Sequence, residues 1–282
     1  MAAWAIGLAG ACLACLAVLA LWRRRDLRAD EGEALRLARF QPAAPERFDP
    51  QIVADLPEPA RRFFHWAIAP NAELFSVAEL EMQGQFGMGD KARPGYMPMT
   101  ARQTLASPHG FVWSMRTGRG LRRLSGSDSG SWTRFWLAGL VPVARYGGTA
   151  DHRRSAFGRY AAEAVMWTPA AVLPRPGVTW TGIDENSARV TIEHLGMEQA
   201  IDLTVDAAGA PVQIAFTRWS NANPEGVWRE QPFGAFLSND QDFSGIRIPT
   251  HVEAGNHFGT DAWFPFFVVD VTDLRFPQAG RA

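Results

Sequence analysis

The sequence predicts an α+β protein in which an N-terminal transmembrane helix precedes a curved antiparallel β-sheet, a half-barrel, wrapped around one or more helices. The first observation behind this prediction is a long uncharged apolar run at the N-terminus. The second is a series of short segments of alternating polarity joined by turn residues, which is typical of an antiparallel sheet. The third is a single long apolar helix in the middle of these strands, which a curved sheet would enclose.

The N-terminal run extends from Ala3 to Trp22 without a charged residue. As a helix it would span roughly 30 Å, the thickness of a bilayer's hydrocarbon core. Trp4 and Trp22 lie near its ends, where indole rings favour the membrane interface. A cleaved signal peptide is the alternative, but it would begin with basic residues, and none precedes the run. We therefore expect residues 1–25 to form a retained transmembrane anchor.

Four arginines follow the apolar run, whereas only the α-amino group precedes it. They are Arg23, Arg24, Arg25 and Arg28. Positively charged residues next to a span favour the cytoplasmic side. The sequence thus predicts a single-pass protein of the cell inner membrane, with its soluble domain in the cytoplasm.

The composition allows a substantial core and excludes some classes of function. Hydrophobic residues make up 47% of the chain and charged residues 20%, and the formal net charge is −1. That charge gives no electrostatic basis for a nucleic-acid partner. Both cysteines, Cys12 and Cys15, lie in the apolar run, so the rest of the chain has neither a disulfide framework nor a cysteine zinc site.

The soluble part begins with a connecting segment. Residues 26–55 are predicted to form a juxtamembrane helix followed by a linker containing Pro42, Pro45 and Pro50, because proline does not continue a helix. Residues 56–277 are predicted to form a single α+β domain. It opens with a short amphipathic helix from Leu56 to Ile68, on which Phe63 and Phe64 share an apolar face.

Alternation of apolar and polar residues predicts the strands. Segment 132–143 is compatible with either a strand or a broken helix, and 125–130 is predicted to be a turn because it is rich in serine and glycine. The predicted strands are 77–86, 97–105, 110–115, 121–125, 178–183, 187–193, 198–205, 211–219, 233–243, 246–254 and 263–276. The central helix is predicted from Ser155 to Val172, and Pro169 and Pro174 mark its end.

Several short motifs resemble those of an uncharacterised bacterial family of membrane-anchored proteins. The resemblance extends from Leu56 to Phe276 and implies no activity. Its motifs are Leu56-Pro with Arg61-Arg-Phe-Phe64, Gly110-Phe-Val-Trp113, Leu140-Val-Pro-Val143, Arg159-Tyr with Glu163-Ala-Val and Trp167, Leu173-Pro174, Gly177-Val-Thr-Trp180, Gly245-Ile-Arg-Ile-Pro249 and Asp270-Val-Thr-Asp273.

The layout also resembles, as architecture only, the lipoprotein-carrier and lipoprotein-localisation fold, an open half-barrel with helices on its concave side. This second resemblance implies that acyl chains or another apolar ligand bind in the concavity. The candidate ligand-binding residues are the i, i+4 pair on the central helix and four tryptophans, namely Arg159, Glu163, Trp167, Trp180, Trp113 and Trp136. An intrahelical ion pair and a tryptophan-rich core are the simpler interpretations of the same residues.

Two other functions remain open from the sequence. One is an enzyme that uses His251, Glu253 and His257 as metal ligands, since alternate positions of a strand share one face. Its variant uses a pair of carboxylates, Asp240 with Asp242 or Asp270 with Asp273. The other is a scaffold for another membrane protein, which would expose a large apolar patch.

The sequence favours a non-enzymatic domain that is anchored in the membrane and binds a lipid or other apolar molecule. We expect no catalytic residue, cofactor, metal or nucleic-acid partner. The expected partners are the membrane, through the N-terminal helix, and the apolar ligand.

Overall fold

A computed structural model describes residues 2–278, and within this range the chain forms three α-helices and one sheet of thirteen strands. The helices are α1 (Ala2–Ala38), α2 (Glu58–Ala67) and α3 (Ala150–Trp167). The strands are β1 (Ala78–Gly87), β2 (Tyr96–Ala106), β3 (Gly110–Thr117), β4 (Leu124–Ser129), β5 (Trp132–Leu137), β6 (Val141–Gly147), β7 (Val178–Gly182), β8 (Ser187–His194), β9 (Met197–Val205), β10 (Pro211–Ser220), β11 (Arg229–Phe243), β12 (Ile246–Asn256) and β13 (Phe264–Arg275). This confirms the predicted α+β class.

The strand order along the sheet is β6-β5-β4-β3-β2-β1-β13-β12-β11-β10-β9-β8-β7, and neighbouring strands are antiparallel. The chain runs from the centre of the sheet to one edge through β1–β6. Helix α3 then carries it to the opposite edge, from which β7–β13 return to the centre. The pairing of β13 with β1 is the only place where the two halves of the sheet, among the described residues, are hydrogen-bonded to each other.

Helix α3 crosses the concave face of the sheet, where it contacts β2, β3, β9, β10 and β12. It begins after Thr149, earlier than predicted, because the Thr149 hydroxyl accepts a hydrogen bond of 3.1 Å from the His152 amide. It ends at Trp167, and Pro169 starts a short 3₁₀ turn that reaches Val172. Residues on nearly every side of α3 are buried, which explains why its sequence lacks a clear polar face.

Helix α2 fills the other part of the concavity, against β7, β8, β9 and β12. Its Phe63 and Phe64 are buried, and the Phe64 ring lies edge-on to Trp180 with a centroid distance of 5.5 Å. The core between α2 and these strands is therefore packed with aromatic rings.

Helix α1 is longer than the predicted anchor and does not end at residue 25. Its side chains described up to Trp22 are exposed or nearly so, and beyond Trp22 it lies along the convex face of β2 and β3. Asp26 and Asp30, one turn apart, face the sheet and are buried. Together they accept side-chain hydrogen bonds from Trp136, Arg134, Arg145 and Ser127. These bonds fix the part of the helix that follows Trp22 to the sheet.

The predicted proline-rich linker also lies against the domain. The buried Gln41 side chain donates to the Val77 carbonyl and accepts from the Ser76 and Val77 amides. Arg47 forms an isolated β-bridge with Glu73. A buried amide with three hydrogen bonds holds this segment in one conformation.

The structure decides between the two predictions for one segment and contradicts the prediction for another. Segment 132–143 forms the hairpin of β5 and β6, so the helical alternative is wrong. The predicted turn at 125–130 is mostly strand β4. The serines face α1: Ser125 and Ser127 are buried and hydrogen-bond to Arg23 and Asp30 of the helix. Gly126 instead allows β5 to approach, because a Cβ atom there would lie 2.0 Å from the Arg134 carbonyl oxygen.

Candidate functional site: a cavity beneath the central helix

A cavity of about 260 Å³ lies between α3 and the concave face of the sheet. One wall is α3, which contributes Arg159, Ala162, Glu163, Met166 and Trp167. The opposite wall comes from both halves of the sheet, because strands β1 and β3–β6 and strands β10–β13 all contribute side chains. The volume is slightly below the roughly 300–1,000 Å³ of sites for drug-sized ligands.

Most of the cavity surface is apolar. Aromatic rings dominate because the strand residues that point inward on this side of the sheet are large. The apolar lining residues are Phe86, Trp113, Phe135, Ala162, Met166, Trp167, Ile214, Phe216, Phe233, Ala235, Val252, Ala254, Phe266 and Phe267.

One end of the cavity is polar, and Arg159 is the central residue of this polar end. The Arg159 Nε atom donates to Glu163 Oε1 at 2.7 Å, and a terminal nitrogen donates to Asp128 Oδ2 at 2.7 Å. The guanidinium carbon lies 4.5 Å from the centre of the Phe111 ring and 5.1 Å from that of Trp113. Two carboxylates and two aromatic faces thus hold Arg159 in a single orientation.

Further side chains complete the hydrogen bonding of the two carboxylates. Gln103 donates to Glu163 Oε2 at 2.6 Å, and Thr133 donates to Asp128 Oδ1 at 2.6 Å. The His152 Nε2 atom lies 3.2 Å from the Thr133 hydroxyl. Each of the two carboxylates thus has at least two hydrogen-bond partners, which offset the cost of removing it from water.

A second arginine at the same end, Arg218, has no such partners. Among the described residues, its side chain makes no hydrogen bond or ion pair, and its buried Nε atom lacks an acceptor. Burial and, to a smaller extent, the neighbouring Arg159 lower the pKa of Arg218 to about 10, against the attraction of Asp128 and Glu163, which raises it. Arg218 is still protonated at neutral pH and offers unused hydrogen-bond donors.

The cavity continues past Arg218 into a smaller one of about 160 Å³. The two share Asp128, Thr133, Tyr146, Arg218 and Phe266 as lining residues. The smaller cavity adds mostly polar side chains, including Ser155, Ser220, Asn221 and Asn256. The combined space is therefore apolar at one end and polar at the other, with Arg218 between the two.

The structure brings four of the six predicted ligand-binding residues together. Arg159, Glu163, Trp113 and Trp167 line the main cavity. Trp180 does not, because it packs against Phe63 and Phe64 of α2, and its indole nitrogen donates to the Val172 carbonyl at 2.9 Å.

Trp136 also lies outside the cavity, on the convex face of the sheet beneath α1. It is completely buried, and its indole nitrogen donates to Asp26 at 2.8 Å. Its ring lies edge-on to Trp22 at a centroid distance of 5.7 Å. The periodicity of β5 explains the difference, since Thr133 and Phe135 point into the cavity and Trp136, the next residue, points the other way.

The sequence prediction missed Asp128 and Arg218. Asp128 was hidden in the serine-rich segment interpreted as a turn. The alternation of β10 could have identified Arg218, because Ile214, Phe216 and Arg218 are two residues apart and all line the cavity. A charged residue on the same face of a strand as two buried apolar residues indicates a polar site inside a core.

The residues of the enzyme hypotheses have other partners. His251 lies within 2.8 Å of Asp270 and 3.5 Å of Glu253. His257 is in a turn after a register shift in β12, which interrupts the alternation that would have placed it beside them. Within residues 2–278, no group of three or more histidine, cysteine, aspartate or glutamate side chains is arranged to hold a metal ion.

The carboxylate pairs are likewise held in local contacts. Asp242 accepts a hydrogen bond from the Gly245 amide in the β11–β12 turn, and Asp240 lies 3.7 Å from Arg247. Asp270 pairs with His251, and Asp273 pairs with Arg275. None of the four lines the main cavity.

Comparison with known proteins provides a family but no activity. The curated proteins contain no match. Among solved structures, the chain is similar to a LolA superfamily protein of Nitrosomonas europaea, with 9% identity, a TM-score of 0.40, and coverage of 77% of this chain and 91% of that one. Residues 46–269 match the profile of a family of unknown function, DUF6544. This match covers most of the chain and includes nearly all of the motifs behind the predicted resemblance, so the chain belongs to the DUF6544 family.

Proposed function

We propose that the protein is a membrane-anchored, non-enzymatic binding domain that holds a small lipid or another apolar molecule in the cavity beneath α3. The observation that carries the proposal is a cavity with an aromatic lining that ends at a protonated arginine, Arg218, which has no hydrogen-bond or ion-pair partner among residues 2–278. Such a space matches a molecule with an apolar chain and an oxygen-bearing head. The apolar part would lie among Phe216, Phe233 and Trp167, and the head would accept hydrogen bonds from Arg218.

The cavity volume limits the size of this ligand. At about 30 Å³ for each non-hydrogen atom, a value typical of a small molecule such as water in the liquid, the cavity of 260 Å³ accommodates roughly nine atoms and the adjoining one of 160 Å³ roughly five more. We therefore propose a single short chain or part of a longer one, and not a complete diacyl lipid.

Native mass spectrometry of the full chain tests for a bound ligand directly. The proposal predicts adducts of one amphiphilic molecule per chain, which organic extraction would release for identification. A titration with decanoic acid and decanol, followed by tryptophan fluorescence, then measures binding. If no amphiphilic molecule is purified with the protein, and neither decanoic acid nor decanol binds in the titration, the proposal is wrong.

Two alanine variants show whether binding occurs in the cavity. Ala254 lines it, so Ala254→Leu would fill part of the space and weaken decanoic acid binding at least tenfold. Ala215 lies on β10 between the inward-pointing Ile214 and Phe216, and Ala215→Leu therefore adds the same atoms to the other face of the sheet. Equal affinities of the two variants would place the ligand elsewhere.

The variant Arg218→Gln tests the polar end of the site. It removes the cation that has no partner and keeps a hydrogen-bonding side chain of similar length. We expect binding of decanoic acid to weaken about tenfold, equivalent to about 1.4 kcal/mol, and binding of decanol to change much less. Equal losses for acid and alcohol would mean that Arg218 does not contact the head.

We also propose that α1 anchors this domain in the cell inner membrane and that the domain faces the cytoplasm. The segment from Ile6 to Ala38 contains a window with a mean hydropathy of 2.0, long and apolar enough to cross a bilayer. Arg24, Arg25 and Arg28 are exposed immediately after the apolar part, which supports the cytoplasmic side. Reporter enzymes fused to the C-terminus, one active in the cytoplasm and one active outside it, test this orientation.

A further inference from the structure

The proposed anchor emerges next to two connecting loops of the sheet, and the packing of α1 shows which loops these are. Trp22, at the end of the apolar run, packs on Trp136 near the end of β5. Trp132, at the start of β5, packs against the same small apolar cluster as Ala34, which lies three helical turns further along α1. Strand β5 is thus antiparallel to α1, and the turn that follows Leu137 projects toward the membrane-spanning part of the helix.

The loop between β3 and β4 projects in the same direction. Strand β3 starts beside the C-terminal part of α1, because Gly110 lies close to the side chains of Leu37 and Arg36. It then runs toward the N-terminal part and ends at Thr117. The amide of Ala138 donates to the Arg123 carbonyl at 2.7 Å, which joins this loop to the turn after β5.

These two loops expose apolar side chains together with arginines. Leu121 is 84% exposed, and Leu137, Leu140 and Val141 are also exposed. We call the surface formed by these four residues and four nearby arginines, Arg116, Arg119, Arg122 and Arg123, the basic rim.

The four arginines of the basic rim lie in a part of the chain without carboxylates. No aspartate or glutamate occurs between Asp90 and Asp128. Among the described residues, none of the four rim arginines takes part in a salt bridge, whereas Arg134 and Arg145 on the neighbouring strands do. The rim therefore carries positive charge that the protein itself does not neutralise.

A groove of about 420 Å³ beside α1 extends this positive surface. It is lined by Arg23, Arg102 and Arg116 and by the hydroxyl groups of Thr100, Ser114 and Ser125. Its two carboxylates already have partners, since Glu81 pairs with Arg102 and Asp30 pairs with Arg134. Arg23 and Arg116, on the helix and the sheet, are left facing this groove.

We propose that the basic rim and the groove bind the anionic headgroups of phospholipids in the leaflet that α1 enters, while Leu121 and Leu140 insert into the interface. The inference rests on the proposed role of α1 as an anchor. Two observations favour lipid over a protein partner: the surface is continuous with the membrane-spanning helix, and its charge is complementary to phosphate. Exposed apolar residues flanked by arginines are typical of surfaces that lie in the interfacial layer.

Lipid quenching measures the depth of single sites in the full chain. A fluorophore is attached to one cysteine at a time in nanodiscs that contain nitroxide lipids, in a background with Cys12→Ser and Cys15→Ser. The test sites are Leu121→Cys and Leu140→Cys. Leu195→Cys is the matched control, because it is 85% exposed and adjoins His194, which contacts His109 near the distal end of α1. Nitroxides placed near the headgroups should quench both rim sites at least threefold more than the control.

A label on the natural Cys12 tests the membrane anchor independently of the basic rim. In a variant with only Cys15→Ser, a label on Cys12 should be quenched by nitroxides at the bilayer centre. Quenching at Cys12 with none at Leu121 and Leu140 would overturn the rim proposal and leave the anchor intact. Absence of quenching at Cys12 would overturn both.

The charge of the lipid distinguishes binding of headgroups from simple proximity. Quenching at Leu140 should be greater in nanodiscs with about one third phosphatidylglycerol than in phosphatidylcholine alone, and 0.5 M salt should reduce the difference. Combined Arg119→Gln, Arg122→Gln and Arg123→Gln substitutions should remove it. A surface that is equally deep in both lipids and in the triple variant would contradict the anionic specificity.

Discussion

Arg159 and Arg218 line the same cavity, yet their surroundings differ. Arg159 binds two carboxylates and is sandwiched against aromatic rings. Arg218 contacts the Phe233 ring at 5.2 Å but has no acceptor among the described residues. Arg159 therefore has a structural role in organising the polar end of the cavity, whereas Arg218 retains the capacity to bind something else.

Replacing Arg159 tests its structural role. Arg159→Met would leave Asp128 and Glu163 partly buried without their cation, and we expect the free energy of unfolding to fall by roughly 3 kcal/mol. Arg189→Met is the control, since Arg189 forms a bidentate but exposed pair with Asp202 and should cost less than about 1 kcal/mol. Chemical denaturation of both variants gives the comparison, and equal losses would contradict the assignment.

His251 provides a pH-dependent contribution to stability. Burial lowers the pKa of His251, but the hydrogen bonds and negative charges of Asp270 and Glu253 outweigh burial, so the net pKa is raised. A raised pKa contributes stability that is fully present below the unfolded value of about 6.5 and is lost as pH rises through the folded value. His251→Gln should therefore destabilise the protein more at pH 5.5 than at pH 8.5.

Thermal unfolding of the His251→Gln variant across this pH range is the measurement. His65→Gln, which replaces an exposed histidine of α2, serves as the control for general effects of losing an imidazole. A loss of stability at His251 that does not vary with pH would show that the ion pairs do not control its protonation.

At this scale, the sequence predicted the pair of Arg159 and Glu163 because their i, i+4 spacing is a property of a single helix. It could not predict that Asp128, on a strand distant in the chain, shares the same arginine. It also could not distinguish the two faces of β5, so Trp136 was grouped with Trp113. Alternation shows that neighbouring residues face opposite ways, but it does not show which face is concave.

At the scale of elements, the docking of α1 is the least expected feature. A transmembrane helix usually leads into a separate domain through a connection, and the sequence predicts such a connection over residues 26–55, which include Asp26 and Asp30. The structure instead places them against Arg134 and Arg145, which lie on β5 and β6. Neither carboxylate alone indicates this contact, because its partners are more than one hundred residues away.

Asp26→Asn tests whether this contact holds the helix to the sheet. The substitution removes the charge that Arg134 and Arg145 share and should lower the free energy of unfolding by about 2 kcal/mol. It should also accelerate tryptic cleavage after Arg24, Arg25 and Arg28 in nanodiscs severalfold, as the helix detaches. Glu31→Gln, at an exposed position of the same helix, should change neither quantity. Identical cleavage rates for the two variants would show that other contacts hold α1.

Strand β4 shows why composition can mislead at this scale. Its serines and glycine are typical of turns in isolated segments. In the fold they form a strand, in which the hydroxyl groups of Ser125 and Ser127 hydrogen-bond to α1. The sequence prediction had no means of including a neighbour that lies on the other side of the sheet.

At the scale of the whole molecule, the two halves of the sheet are joined by one strand pair, β1 with β13, which we call the seam. Strands β1 and β13 are the first and last of the sheet in sequence, and their pairing joins its two halves. The sequence predicted a curved antiparallel sheet around a helix because turns and strand periods are local. Strand order is set by pairings over long sequence separations, and alternation alone does not specify which strands meet.

Gly84 on β1 is the position at which this seam is most constrained. A Cβ atom there would lie 2.1 Å from the carbonyl oxygen of Val268, a backbone atom that cannot move without separating the strands. Gly84→Ala should therefore lower the free energy of unfolding by about 2 kcal/mol or more. Gly130→Ala is the control, since a Cβ atom there meets nothing within 4 Å.

Differential scanning calorimetry compares the two glycine variants. The seam variant should unfold at a temperature lower by about 4 °C or more, and the control should remain within about 2 °C of the wild type. Hydrogen exchange should show the loss of protection first in β1 and β13. A variant at Gly84 as stable as the control would mean that the seam adapts to a methyl group.

The attachment of α1 to the convex face determines how far this domain can travel. Fifteen residues of free chain beyond a bilayer would let a domain sweep a radius of up to about 50 Å. Here the same stretch is helical and hydrogen-bonded to the sheet, so no flexible tether separates the apolar part of α1 from the domain. With α1 in the bilayer, as we propose, the cavity would be held at a constant height and tilt above that membrane. A ligand exchanged with a membrane would then come from that bilayer or be delivered to it, because the domain could not shuttle between distant sites.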